Sequence, residues 1–574
     1  MARALGPAKA SSQLIPCIDE EVDKCPDDEL LACLAAELGQ LRDLVAEKSD
    51  LLPVLEKLCK ADETLVRQAA AESLRHIGST MTADEINGSM VPLVQRLLGE
   101  AWWTSKVSAA GLLATAYPLA TPETQAALKG SLPAITKDET PMVRRAVATN
   151  LGALCAVLEP DCVLRDLFPS FNKLANDDQD SVRILAFKSC VQMCSTQPAA
   201  QCAEFIHPAI ENFSKDKSWR VRLEVAQALD SLVASIPGDL PVTVCCSLLQ
   251  DPELDVRRFA LEQVEGVLTA NPGIAESSGI LGALEELADV DMEVPNAILV
   301  KLALAQQTWK LTTVLGPELS KSNLVPLVVK LIQEDAIEVR IAVLEGWTDL
   351  VKSAGGDLML STLPLEVLAE DQSWRVRRSF LEGVPFLVES ADRGEFNSTV
   401  LPLLTNAAES DEVGSVREAA FQVMADLVPI LGDEFAQSTS LPAITSLAGN
   451  GTFGMRISAC QVRCLISFAW CPRDCVCVCP YTLLTHVAHC LLSKRQAIKM
   501  FADAGAECIG SELTELAVKL CADKVPNVRF NAAWAAGALG AARLCDTAPL
   551  KAALTVRAGL LLALLLAVAR TGLC

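Results

Sequence analysis

Seven side chains between positions 471 and 490 hold the densest concentration of metal-ligand chemistry in this 574-residue chain: Cys471, Cys475, Cys477, Cys479, His486, His489 and Cys490. Thiolate and imidazole are zinc ligands, and a zinc-binding regulatory or redox protein is the reading that would follow. The spacing argues against it. Structural sites pair their cysteines across a knuckle, whereas Cys475-x-Cys477-x-Cys479 places alternate side chains close together with no second pair to match. No metal and no cofactor are therefore expected. The other two of the four histidines, His76 and His207, stand singly in helical sequence and read as structural. There is no G-x-x-x-x-G-K-[ST] loop, no H-E-x-x-H and no G-x-S-x-G, and nothing localises a carboxylate pair, so no catalytic residue is assigned and the chain reads as a non-enzyme.

The remaining chemistry is that of recognition. The pentapeptide Ser-Trp-Arg-Val-Arg occurs twice, at 218–222 and at 373–377. Trp and Arg are the residue types enriched at binding hot spots, and a turn that Asp, Gly or Asn would serve does not need them. The alternative is a Trp folded back over a neighbouring helix with Arg beside it as a cation-π partner. Trp102-Trp103 repeats the argument, with one ring of the pair expected to point inward. Thr140-Pro141-Met142-Val143-Arg144-Arg145 adds a rigid proline, an adaptable thioether and two guanidinium groups.

Both pentapeptides belong to a wider period. An acidic turn followed by Val-Arg and then by Ala and Leu at helical spacing recurs at Val66-Arg67, Val143-Arg144, Val182-Arg183, Val221-Arg222, Val256-Arg257, Val339-Arg340, Val376-Arg377, Val416-Arg417 and Val528-Arg529. Weaker copies centre on Leu30, Ser105-Lys106, Val294 and Met455-Arg456. The steps cluster near 39 residues, the length of a two-helix solenoid repeat. A second apolar segment precedes each motif and often opens with proline, as at Pro53, Pro92, Pro133, Pro326, Pro364, Pro402 and Pro442. Each unit is read as helix A, a short acidic turn, then helix B. The Val should face the core, and the Arg should pair with a turn carboxylate of an adjacent repeat. The residues between the turn acid and the Val are free of that duty, and successive turns form one edge on which function should be sought.

Composition agrees. With 72 acidic against 49 basic side chains the net charge is −23, which disfavours nucleic acid and anionic membranes as partners. Sixteen of the 22 cysteines lie scattered through helical sequence, the pattern of buried free thiols in a reducing compartment. Met1 to Pro16 has no continuous apolar stretch, so no secretory leader is expected. The apolar run Ala558 to Ala569 has 12 residues where a membrane span needs about 20.

These strings resemble a known family, the scaffolding A subunits of protein phosphatase 2A, which are HEAT-repeat proteins. The likeness rests on AESLRHI from Ala71, DETPMVRRA from Asp138, DQDSVR from Asp178, DKSWRVR from Asp216, WRVR from Trp374 and PNVRFN from Pro526. It implies an all-α HEAT-repeat solenoid, a right-handed superhelix of antiparallel helix pairs with a horseshoe form. It implies a heterotrimer too, with a variable B-type regulatory subunit on the N-terminal turns and the phosphatase catalytic subunit on the C-terminal turns. The regulatory-subunit residues would be Trp102, Trp103, Pro141, Met142, Arg144, Arg145, Asp180, Ser181, Ser218, Trp219 and Arg220. The catalytic-subunit residues would be Trp374, Arg375, Val413, Met455, Arg456, Pro526, Asn527, Arg529 and Phe530. The location implied is cytoplasmic, and also nuclear. A transport receptor of the importin-β type is the rival within binding proteins, but it would predict longer acidic loops and no duplicated Ser-Trp-Arg-Val-Arg.

The expected organisation is a tail at 1–13, a solenoid of about twelve repeats at 14–461, a Cys-rich insertion at 462–495, the rest of the interrupted repeat and a last repeat at 496–541, and an atypical apolar tail at 542–574. The insertion is placed by arithmetic. The step from Met455-Arg456 to Val528-Arg529 is 73 residues, and removing 34 restores the period. Val462-Arg463 after Gln461 suits a splice-donor boundary, so translated intron is the preferred reading of the segment.

Overall fold

The computed structural model describes residues 1–449 except Pro237, together with the isolated positions 519 and 522. Every element among them is helical. Two units are distinguished, Met1–Ala283 and Leu284–Cys574. In the first, the B helices are Asp28–Leu38, Thr64–Gly78, Trp103–Ala116, Pro141–Cys155, Asp180–Thr196, Trp219–Gln227 and Leu254–Glu262. In the second they are Ala297–Leu319, Ile337–Glu345, Trp374–Ser390 and Gly414–Leu431. Within each unit, B helices of successive repeats pack on one another and on their own A helices, the neighbour-only arrangement of an all-α HEAT solenoid. Residues 1–13, read from the sequence as a tail, are helical over Ala2–Leu5, Pro7–Lys9 and the start of Ala10–Leu14, and Ala2 and Ala10 are buried.

The motif valines behave as expected. Val66, Val143, Val182, Val221, Val256, Val339, Val376 and Val416 are all fully buried. Two of the weaker copies need correction: Leu30, in the first turn of helix Asp28–Leu38, is 59% exposed rather than facing the core, and the copy at Val294 is displaced. Val294 is 43% exposed in the turn, and the residues that take the motif's place are Val300, fully buried, and Lys301. Helix B there begins at Ala297, after a longer turn that ends on Asn296 in the left-handed region, φ 68°. A Lys in place of Arg and a stretched turn together hid this copy.

Pro53 and Pro364 do stand at helix starts, in the first turn of Leu52–Leu58 and at the N-cap of Leu365–Ala369, whereas Pro133 and Pro402 lie inside helices and others follow a wide turn. Six A helices contain a wide turn of five residues that ends two positions before proline: Ala10–Leu14 before Pro16, Ile86–Met90 before Pro92, Val163–Leu167 before Pro169, Cys202–Ile206 before Pro208, Ser320–Leu324 before Pro326 and Ala436–Ser440 before Pro442. Proline has no N–H for the carbonyl four residues back and its ring presses on that carbonyl, so the helix continues by widening to i→i+5 bonds rather than by starting anew. Where B helices meet, glycine makes the room. A Cβ on Gly346 would lie 1.9 Å from the Trp309 ring, and one on Gly383 would lie 1.7 Å from Trp347.

Eleven cysteines fall among the described residues, and all are free thiols. No helix among these residues is long and apolar enough to cross a membrane. The Cys-rich segment at 462–495, the last repeat and the apolar tail lie outside the described residues.

Candidate protein-binding ridge

The turn between helices A and B is built the same way in repeat after repeat. Its acidic residue accepts a hydrogen bond from the N–H two residues on: Thr140 to Asp138 at 2.9 Å, Gln179 to Asp177 at 3.0 Å, Ser218 to Asp216 at 2.7 Å, Ser373 to Asp371 at 2.7 Å and Val413 to Asp411 at 2.8 Å. The donor residue is the N-cap of helix B and has extended backbone, as at Ser218 (φ −88°, ψ 122°) and Ser373 (φ −82°, ψ 118°). The carboxylate thus satisfies a helix-end donor from two residues upstream of the usual capping position.

The motif cation closes the structure sideways. Arg183 donates from Nη1 to the Asp177 carbonyl of its own turn at 2.8 Å, then forks onto Asp216 of the next repeat, with Nε–Oδ2 and Nη2–Oδ1 both at 2.7 Å. The same bridge joins Arg144 to Asp177, Arg222 to Asp251 and Arg377 to Asp411, at 2.6, 2.6 and 2.7 Å. Arg340 reaches Asp371 at 3.0 Å, and lysine serves in Lys106–Asp138 (2.8 Å) and Lys301–Glu334 (2.6 Å). In the first unit's second repeat the ladder changes chemistry, and Arg67 lies over the Trp103 ring, 5.1 Å from its centroid. Burial alone would raise the Asp177 carboxyl, but the Arg144 hydrogen bonds and the Gln179 N–H outweigh it and hold the group below the ordinary carboxylate value. Asp138 is lowered by the same balance, with Lys106 as the cation.

Once Val and Arg are committed to core and ladder, the first two residues of helix B remain to face outward. Trp219 is 39% exposed and Trp374 is 38% exposed. Each carries its own arginine over the ring, Arg220 at 5.8 Å and Arg375 at 5.7 Å from the centroid. The cation-π pairing expected of a folded-back ring is present, yet both rings keep a face in solvent. Asp180 ties this turn to the preceding repeat by accepting from the Ser218 hydroxyl at 3.1 Å and pairing with Arg220 at 3.8 Å, and Ser181 beside it is half-buried. Trp102 is 59% exposed with its indole N–H on Asp62, whereas Trp103 is half-buried beneath Arg67, so one ring of the pair does point inward. Pro141, Met142 and Arg145 are exposed, and Val413 is half-buried.

Arg144 sits apart from its neighbours. Its side chain is held in the ladder, so the turn offers Met142 and Arg145 outward and uses Arg144 inward. Met455, Arg456, Pro526, Asn527, Arg529 and Phe530 lie outside the described residues. Sequence reasoning missed two apolar side chains on the same edge, Leu65 and Ile337, which are exposed at the start of their B helices. An aliphatic residue one or two positions before the buried motif valine was the available signal.

Comparison with known proteins bears on this edge. Residues 49–251 match the family model described as PIK3R4-like, middle domain. The PP2A protein phosphatase regulatory protein of the A class from Schizosaccharomyces pombe is 36% identical over 231 residues, which is 39% of this chain and 39% of that protein. Its counterpart from Arabidopsis thaliana, the alpha isoform of the 65 kDa regulatory chain of serine/threonine-protein phosphatase 2A, is 40% identical over 170 residues, 29% of each chain. Over these stretches the chain is similar to the phosphatase 2A regulatory A subunits. It spans about two fifths or less of the length of these curated relatives. Among solved structures, Kap121p superposes with a TM-score of 0.56 at 14% identity, covering 90% of this chain and 57% of that one, a likeness of fold alone. Along this edge the turn hydrogen bond and the ladder recur from repeat to repeat, and the exposed first turn of helix B is the part that changes.

Proposed function

We propose that this chain is a non-catalytic scaffold that holds the catalytic subunit of a type 2A protein serine/threonine phosphatase on its C-terminal turns and a variable B-type regulatory subunit on its N-terminal turns. The observation that carries the reading is the duplicated Ser-Trp-Arg-Val-Arg turn. Two rings nearly equally exposed, each with its own arginine, stand on a rigid ladder in a relative of phosphatase regulatory subunits. A half-exposed Trp held in place costs little further entropy on binding, which suits an anchor. The regulatory-subunit surface would comprise Trp102, Met142, Arg145, Asp180 and Trp219, with Leu65 added. The catalytic-subunit surface would comprise Trp374, Arg375 and Val413, continuing into 455–456 and 526–530. In this reading 462–495 stands outside the repeat, and the complex is placed in cytoplasm and nucleus, which imaging of the tagged chain checks.

The test is binding to the full chain of two purified partners, the phosphatase catalytic subunit in one arm and a B-type subunit in the other. Trp374→Ala with Arg375→Ala should weaken the catalytic subunit by about 2 kcal/mol, roughly thirtyfold, and leave the regulatory subunit bound. Trp219→Ala should do the reverse. Failure of the unaltered chain to retain either subunit, or equal loss of both from either variant together with a lower melting temperature, overturns the assignment.

A further inference from the structure

The A helices carry a feature that the turn ridge does not use. Helix Pro122–Thr136 and the next A helix, which runs through the wide turn Val163–Leu167 into Phe168–Ala175, leave an open groove of about 550 Å³ between them. Four cations line it, Lys129, Lys137, Arg165 and Lys173, against one carboxylate, Asp166. In a chain of net charge −23 that is a local reversal of sign. At one end Lys129 and Arg165 both hold Asp166, at 2.8 and 2.9 Å. At the other end Lys137 and Lys173 are exposed and, among the described residues, their ammonium groups make no hydrogen bond or ion pair. Lys173 acts on the Asp177 carboxylate only through space, and Arg144 engages both oxygens of that group.

The uncharged lining is as informative as the cations. Gly130 lines the groove and is exposed, and a Cβ built there would meet nothing within 4 Å. Thr136 also lines the groove, 1% exposed, and its hydroxyl has no hydrogen-bond partner. A buried hydroxyl left unpaired is an acceptor or donor waiting for one. The lining runs along the helix from Ala126 to Lys137, about 16 Å at 1.5 Å per residue, which is too long for one small anion. Lys129 and Lys137 are about 12 Å apart on that scale, the reach of roughly four residues of extended chain.

We propose that this groove receives an acidic segment of a partner protein, with carboxylate or phosphate groups about four residues apart set against the Lys129–Arg165 and Lys137–Lys173 ends. The site is separate from the turn ridge and does not depend on the phosphatase reading.

The experiment is fluorescence anisotropy with the full chain and a labelled ten-residue peptide bearing two glutamates four residues apart. The same peptide with phosphoserines and the same peptide with glutamines form the other arms. The acidic peptides should bind, more weakly as salt rises, and the glutamine peptide should not. Lys137→Glu with Lys173→Glu should weaken binding roughly tenfold or more. Gly130→Leu, which puts a bulky side chain on the groove lining without altering charge, should do the same, and Trp219→Ala should change nothing. Tighter binding of the phosphoserine arm would identify the source as a phosphorylated segment, and equal binding would show that carboxylates suffice. The proposal fails if the glutamine peptide binds as well, if Gly130→Leu or the charge reversal leaves binding intact, or if inorganic phosphate alone displaces the peptide at equal concentration.

Discussion

Replacing Arg183 with alanine is the sharpest perturbation of the ladder. Its side chain is 4% exposed and that of Asp216 is 10% exposed, so this pair exchanges most of its hydration for two 2.7 Å bonds. Without the guanidinium, Asp216 keeps only the Ser218 N–H, and the carbonyls of Asp177 and Asp178 lose their shared donor. A buried pair broken on one side costs about 3–5 kcal/mol, because the surviving charge stays buried without a partner. By contrast Arg378–Glu382, with side chains 48% and 53% exposed, should be worth about 0–1 kcal/mol. A solenoid does not unfold all at once, so the reading must be local: hydrogen exchange resolved by peptide, with urea unfolding for the total. Protection should fall mainly in helices Asp180–Thr196 and Trp219–Gln227. Adding Asp216→Ala should cost less than the sum of the two single changes, since the stranded charge is then gone. A single-variant loss below about 1 kcal/mol, or a loss of protection spread evenly from Met1 to Ala283, would refute a ladder of buried bridges.

Other consequences follow from the same geometry. Gly383→Ala should cost about 1–3 kcal/mol or more by overpacking, because Trp347 is 1% exposed and edges against Phe380 at 5.8 Å with no room to retreat; Gly130→Ala, in open space, should instead stabilise by up to about 1 kcal/mol, both read by thermal melts. Asp138 and Asp177 have folded values below their ordinary ones, so their contribution is complete above about pH 4 and is lost as pH falls through the folded values; unfolding midpoints measured downward from pH 5 should drop, and a flat or rising profile would contradict the pairing. Burial pushes the thiol of Cys59 up to about 12 and that of Cys202 up to about 11, whereas Cys17 and Cys33 are exposed, so alkylation of the native chain at pH 8 mapped by mass spectrometry should mark the latter two and spare the former.

How much of this could be seen beforehand differs by kind of interaction. The core valines and the Arg-to-Asp bridges were legible because both repeat at one fixed offset, and a period near 39 makes every copy a witness for the others. The copy at Val300-Lys301 escaped because two departures coincided, a Lys for an Arg and a longer turn. Prolines were legible as punctuation, but a helix has a second way to absorb one, and the wide turns took it. Leu65 and Ile337 were overlooked for the opposite reason, since apolar residues beside a core position are assigned to the core by default. The basic groove could not be read at all. Lys137 and Lys173 are 36 residues apart, on helices whose polar faces carry no periodic mark, and only stacking brings them to one cleft.

The pentapeptide at 218–222 shows why structural and binding residues can share one turn without conflict. Successive helical residues differ by 100°, so Trp219 and Arg220 point out, Val221 points to the core and Arg222 points along the stack to Asp251. Ser218 meanwhile is fixed twice, through its N–H to Asp216 and its hydroxyl to Asp180 of the preceding repeat. The exposed ring therefore sits on a backbone whose neighbours on both sides are tied to adjacent repeats, which sets the spacing between one exposed side chain and the next. A partner that reads several turns depends on that spacing more than on any one contact, because anchors held in register need no ordering when they are engaged. On this argument the ladder residues influence binding without touching the partner. Conservative replacement of Arg183 by Lys, which keeps the charge but loses the fork, should loosen the register and weaken the regulatory-subunit binding proposed above across Trp102, Met142 and Trp219 while leaving each ring as exposed as before. Unchanged affinity with lowered hydrogen-exchange protection would show instead that each turn binds as an independent anchor.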